Sequence, residues 1–172
     1  MSENRPATRD DLMQRLAGLG IATRTVEHPP LHTVEQSRQL RGDIPGRHTK
    51  NLFLKCKKGT LWLVVALEDE AIDLKRLHER IGSGRLSFGR AELLMEVLGV
   101  PPGSVTPFAL INDRQTRVSV VLDERMMSQD TLNFHPLANT ATSSIASGDL
   151  VRFIKDCGHV PRVVAVGSGP GD

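Results

Sequence analysis

The chain has 172 residues, 39% hydrophobic and 24% charged, with a formal net charge of only +2. That length suits one well-buried domain, and the composition is that of a soluble globular chain, which argues against both disorder and a membrane protein. The small net charge excludes a broad sheath of non-specific nucleic-acid contacts and leaves room only for local basic patches, such as Lys55, Lys57 and Lys58 on one predicted hairpin or Arg38, Arg41 and Arg47. Tyr is absent and Trp62 is the only tryptophan, so an aromatic platform for stacking bases is not expected. Cys56 and Cys157 form no CxxC pair, and both are expected as free thiols rather than zinc ligands or a disulfide. The polar N-terminus does not read as a signal peptide, and a cytoplasmic protein is expected.

In chain order, Thr8 followed by Asp11 reads as a capping signal for a helix to about Leu19, with Leu12, Met13, Leu16 and Leu19 on one side. Residues 23–26 alternate as a short strand. His28-Pro29-Pro30-Leu31-His32 forces an extended turn, because each proline restricts the residue before it. Its two histidines lack a third ligand nearby and are expected as ordinary loop residues. A short helix is predicted over 34–40, ended by Gly42, then a loop over 43–47 with Pro45 and Gly46 as breakers.

The polar run His48-Thr49-Lys50-Asn51 leads straight into Leu52-Phe53-Leu54, which has strand-like alternation. The turn at Lys57-Lys58-Gly59-Thr60 makes this strand the antiparallel neighbour of the apolar run 61–67, a central strand covered on both faces. Helices are predicted over 73–81 and 90–98, the second burying Ala91, Leu94, Met95 and Leu98. Strands are predicted at 86–88, 118–122, 132–136, 139–145 and 163–166. Ser147 is read as the cap of a last helix to about Asp156, and a flexible tail is expected from about residue 167. The whole, residues 1–172, reads as a single α/β domain with a mixed, largely antiparallel central sheet surrounded by helices.

Three polar sites carry candidate chemistry. Lys50 is a point charge suited to phosphate, at the mouth of a strand that fixes it. Gly103-Ser104-Val105-Thr106-Pro107 joins a glycine that lets a ligand approach the backbone to a proline that restrains the loop, and its N–H groups suit a developing oxyanion. His135 is held between Phe134 and Pro136, which suits recognition, with proton transfer as the alternative. Thr142, Ser143 and Ser144 lack a nucleophile elbow and read as a polar strand face.

These motifs, in this order and spacing, resemble the YbaK/ProRS-associated family of editing domains, over nearly the whole chain from about Thr8 to Val166. Within it the chain looks most like the free-standing proteins that deacylate alanyl-tRNA carrying the proline anticodon. The resemblance implies an aminoacyl-tRNA deacylase with no metal or organic cofactor. It implies that Lys50 binds the substrate phosphate, that Asn51 positions the aminoacyl end, and that residues 103–107 line the amino-acid pocket. It implies that His135 limits pocket size and contacts the substrate. The partners it implies are the acceptor end of mischarged tRNA(Pro) and, as a second candidate, prolyl-tRNA synthetase, with no membrane and no DNA. The alternatives are a deacylase for another small amino acid, such as Cys-tRNA, and a non-catalytic module that binds tRNA or a synthetase.

Overall fold

A computed structural model describes residues 5–30 and 44–167. The helix predicted over 34–40 and the tail beyond 167 lie outside the described residues, as do His32, Arg38 and Arg41. Helix α1 (Arg9–Gly18) starts where the sequence places it. The Thr8 hydroxyl accepts the Asp11 N–H, and the Asp11 carboxylate accepts the Thr8 N–H in return. Arg5 also bonds that carboxylate, and with the Thr8 contacts it lowers the Asp11 pKa to about 2.

Eight strands make one mixed sheet: β1 (Thr23–Glu27), β2 (Arg47–Cys56), β3 (Leu61–Leu67), β4 (Leu86–Phe88), β5 (Val118–Asp123), β6 (Thr131–Phe134), β7 (Ala141–Ala146) and β8 (Arg162–Val164). Their order is β1-β7-β6-β2-β3-β5-β8, with β4 also on β2. The pairs β1–β7, β2–β3, β2–β4 and β6–β7 are antiparallel, whereas β2–β6, β3–β5 and β5–β8 are parallel. Gly59, at φ 92°, makes the β2–β3 turn.

Strand β3 is buried at every residue because both faces of the sheet are covered. Leu61, Leu63, Val65 and Leu67 pack into a large core. There they meet Leu12 and Leu16 of α1, Leu94 and Leu98 of α3 (Ala91–Leu98), and Leu150 and Phe153 of α5 (Ser147–Asp156). Trp62, Val64 and Ala66 face a smaller cluster with Leu77 and Ile81 of α2 (Leu74–Ile81). Each fully buried aliphatic side chain contributes roughly 1.5–3 kcal/mol, so this strand is the thermodynamic centre of the domain.

Two local readings change, and two short helices are added. The buried face of α3 is Leu94, Val97 and Leu98, and Met95 is 46% exposed while Ala91 also faces solvent. Ser147 does not cap α5: Ala146 holds the cap position, with no side-chain hydrogen bond, and Ser147 is the first helical residue. A 3-10 helix (Pro107–Asn112) follows the proline-rich loop, buried from Pro107 to Ile111, and a one-turn helix α4 (Glu124–Met127) follows β5. Among the described residues no helix is long and apolar enough to cross a membrane.

Candidate functional site

One edge of β2 is shared by two strands. Its start pairs in parallel with β6, Arg47 with Leu132 and His48 with Asn133. Its end pairs with β4, from Leu54–Phe88 to Cys56–Leu86. Between them, among the described residues, no strand pairs with this edge. His48 O accepts from Glu68 N and Phe53 O from Gly89 N, so even-numbered residues turn their backbone groups to β3 and odd-numbered ones to this edge. Asn51 therefore faces the gap with its backbone.

Alternation also sends neighbouring side chains to opposite faces. Asn51 lies on the face of Phe53 and the large core, and its Oδ1 is buried with no hydrogen-bond partner among the described residues. Lys50 lies on the other face, opposite Ala66 and in line with Leu54, and its Nζ donates to the Glu70 backbone carbonyl. Arg125 pairs with both Glu70 and Asp69 and holds the Asp69 carboxyl below its ordinary range.

The start of β2 is anchored from β6. Asn133, 2% exposed, donates through Nδ2 to Pro45 O at 3.1 Å and accepts the Ser144 hydroxyl at 2.6 Å. The Thr49 hydroxyl donates to Asn133 O at 2.7 Å. Gly46, at φ 98°, sits against Thr131 and Asn133 where a Cβ would not fit. Extending the register two residues beyond His48–Asn133 brings Lys50 level with His135, where the two strands part.

His135 is half-buried just past β6, and its Nδ1 lies 2.9 Å from Ala141 O. Its pKa is lowered from the usual imidazole value chiefly by burial; the Ala141 bond opposes this, and the neighbouring His28 adds to it. His28, which the sequence reads as an ordinary loop residue, lies beside it. Its ring centroid is 6.3 Å from that of His135, its Nε2 is 2.8 Å from Thr142 Oγ1, and its Nδ1 is 2.9 Å from Pro29 O. The signal was the following proline, which holds His28 extended.

In the loop at residues 103–107, Gly103 is exposed at φ 92° and a Cβ there would lie 3.8 Å from Asn139 Nδ2. The loop thus meets the same β6–β7 connection that carries His135. Ser104 N donates to Pro101 O, and Thr106 Oγ1 accepts Phe108 N to open the 3-10 helix. The N–H groups of Gly103, Val105 and Thr106 are left without a protein acceptor among the described residues. Ser104, Thr106 and Pro107 are buried, and Phe108 stacks edge-on against Phe134, with ring centroids 5.9 Å apart.

The structure therefore brings His135, His28 and the glycine loop to the β6–β7 connection, while Asn51 and Lys50 lie on opposite faces of β2, whose start pairs with β6. A cleft of about 270 Å³ lined by Gly46, Arg47, His48, Glu68 and Asp69 adjoins the start of β2. A larger one of about 690 Å³, lined by Lys55, Phe88, Arg90 and Leu93 among others, lies at the far end of β2 and contains none of the predicted site residues. The arrangement supplies a cation, unpaired acceptors and unpaired N–H donors, which suits hydrolysis of an ester on a phosphate-bearing substrate without a side-chain nucleophile.

The model of the aminoacyl-tRNA editing domain matches residues 28–153. The prolyl-tRNA synthetase associated domain-containing protein 1 of Bos taurus is 40% identical over 161 residues, covering 91% of this chain and 94% of that protein. The prolyl-tRNA editing protein ProX of Acetoanaerobium sticklandii is 34% identical over 154 residues, covering 89% and 94%. A crystal structure named for a candidate trans-editing role with prolyl tRNA synthetase superposes with a TM-score of 0.71, covering 95% of this chain and 99% of that one at 20% identity. At that identity the likeness concerns the fold.

Proposed function

Because this chain belongs to the aminoacyl-tRNA editing domain family, we propose that it is a trans-editing hydrolase that deacylates mischarged Ala-tRNA(Pro). The observation that carries this reading is the meeting of the loop at 103–107 with the connection that holds His135, next to β6, which pairs with the start of the strand that carries Lys50. Lys50 holds the phosphate of the terminal nucleotide, moving its ammonium from the Glu70 carbonyl to do so. Asn51 Oδ1, buried and with no partner among the described residues, takes a donor from the aminoacyl end. Water adds to the ester carbonyl, helped by the 2′-hydroxyl of the terminal adenosine. The N–H groups of Gly103, Val105 or Thr106 bind the oxyanion, and the ribose oxygen leaves with a proton.

The need for such an activity follows from size. A synthetase pocket built for proline discriminates against smaller alanine by only about 1–3 kcal/mol per missing methylene. A second site that admits alanine and excludes proline supplies the rest, with His135 limiting its volume. The test is a panel of Ala-tRNA(Pro), Pro-tRNA(Pro) and Cys-tRNA. Loss of the alanyl ester alone, above its spontaneous rate, is expected. Loss of the cysteinyl ester instead reassigns the substrate, and tRNA binding without hydrolysis of any ester makes the chain a binding module.

A further inference from the structure

His28 is the side chain that the foregoing roles leave unused although it is built into the same site. Its backbone N–H donates to Thr140 O at 2.9 Å, so the residue is stitched to the start of β7 before its side chain is considered. A carbonyl oxygen only accepts, so the contact with Pro29 O requires a proton on His28 Nδ1. In the neutral ring Nε2 is then the acceptor, and it takes the buried Thr142 hydroxyl. The same reasoning puts the His135 proton on Nδ1, toward Ala141 O. Both imidazoles are thereby fixed in one tautomer, 6.3 Å apart and tilted by 57°. His135 Nε2 is left carrying a lone pair with no partner among the described residues.

We propose that His28 is a positioning residue for His135, and that His28 and Thr142 present His135 Nε2 as an unprotonated acceptor for the α-ammonium group of the aminoacyl ester. This rests on the deacylase reading. An ammonium is the strongest donor such an ester carries, since a charged donor makes a shorter and stronger hydrogen bond than a hydroxyl. A second imidazole this close disfavours a charge on His135 and so favours a free Nε2 lone pair. Burial of His135 acts in the same direction.

Two non-hydrolysable probes test this without depending on catalysis: 3′-alanylamido-adenosine, and the 3′-propionylamido analogue that lacks the α-amine. The wild-type protein is expected to bind the alanyl amide about tenfold more tightly. Nitrogen-15 spectra of its histidines should show His135 protonated on Nδ1 only. His28→Phe keeps a ring against His135 but loses the Thr142 and Pro29 bonds. It should reduce the preference to within about threefold and mix the His135 tautomers, while His28→Gln, which still accepts from Thr142, should restore most of both. Equal binding of the two probes by wild type, or no binding of either, overturns the ammonium contact. A preference and tautomer unchanged in His28→Phe overturn the role of His28. Discrimination between probes by a protein that hydrolyses no ester sinks the deacylase reading and leaves this one standing.

Discussion

His135 and His159 sit at opposite ends of the central sheet and have neighbours of opposite kinds. His159, 5% exposed, lies with Nε2 2.9 Å from Asp113 Oδ2, close to where β5 begins beside the β2–β3 turn. Asp113 also accepts the N–H groups of Arg117 and Val118. Burial pushes its carboxyl pKa up, but the His159 bond and these two N–H groups outweigh it and leave the value lowered. That cluster is closed among the described residues, save for His159 Nδ1, which is buried with no partner among them. His135 instead has another imidazole beside it, and among the described residues its Nε2 has no hydrogen-bond partner, nor has the buried Asn51 Oδ1 on β2. An unmet buried polar group costs about 1–3 kcal/mol, and in the proposed function the substrate supplies the donor that Asn51 Oδ1 lacks.

The contrast breaks most sharply at Asp113. Asp113→Ala removes three hydrogen bonds and leaves His159 alone in the core, so urea unfolding should show a loss on the order of 3–5 kcal/mol. Deacylation by the fraction still folded should be unchanged. Lys50→Ala should do the reverse, lowering kcat/KM for Ala-tRNA(Pro) about 100-fold with little change in the unfolding midpoint. Full activity in that variant would remove Lys50 from the mechanism. Asn133→Ala lies between, since Asn133 ties the start of β2 to β7. A loss of about 2 kcal/mol is expected, together with weaker substrate binding.

The smallest effect separates the two histidine regions by pH. His135 has a lowered folded pKa, so the unfolded chain takes up its proton first as pH falls. Its contribution to stability is complete above about pH 6.5 and declines below it. Asp113 is also lowered, but its contribution is complete above about pH 3.9 and is lost only as pH falls through its folded value. Unfolding curves at pH 7.5, 5 and 3 should show the two losses in turn. His135→Phe should remove the first, and a first loss that persists in that variant contradicts the assignment.

What was readable in the sequence was local. The Thr8–Asp11 box, the Gly59 turn and the all-apolar β3 depend on residues a few positions apart, and each formed as its chemistry requires. What was not readable depended on distant partners. The parallel join of β2 to β6 unites residues about 85 positions apart, and no periodicity encodes it. The α3 face was mis-phased because Val97 and Met95 are equally apolar in sequence, and only the packing against the large core chooses between them. At the site, Lys50, Asn51, residues 103–107 and His135 stood out by residue type, whereas the separation of Lys50 and Asn51 onto two faces and the part of His28 came from the assembled sheet.

The divided edge of β2 has a mechanical meaning. The strand is supported like a beam at both abutments, by β6 at Arg47–His48 and by β4 from Leu54 onward, and along its whole other side by β3. Among the described residues no strand pairs with that edge between the two supports, and β3 holds the span from its other side. The Asn51 amide should therefore exchange with solvent faster than those of Lys50 and Leu52, which point to β3, although all three belong to one rigid strand. Backbone exposure and stiffness are set by different edges of the same stretch, residues 49–53, so the protein need not trade one for the other.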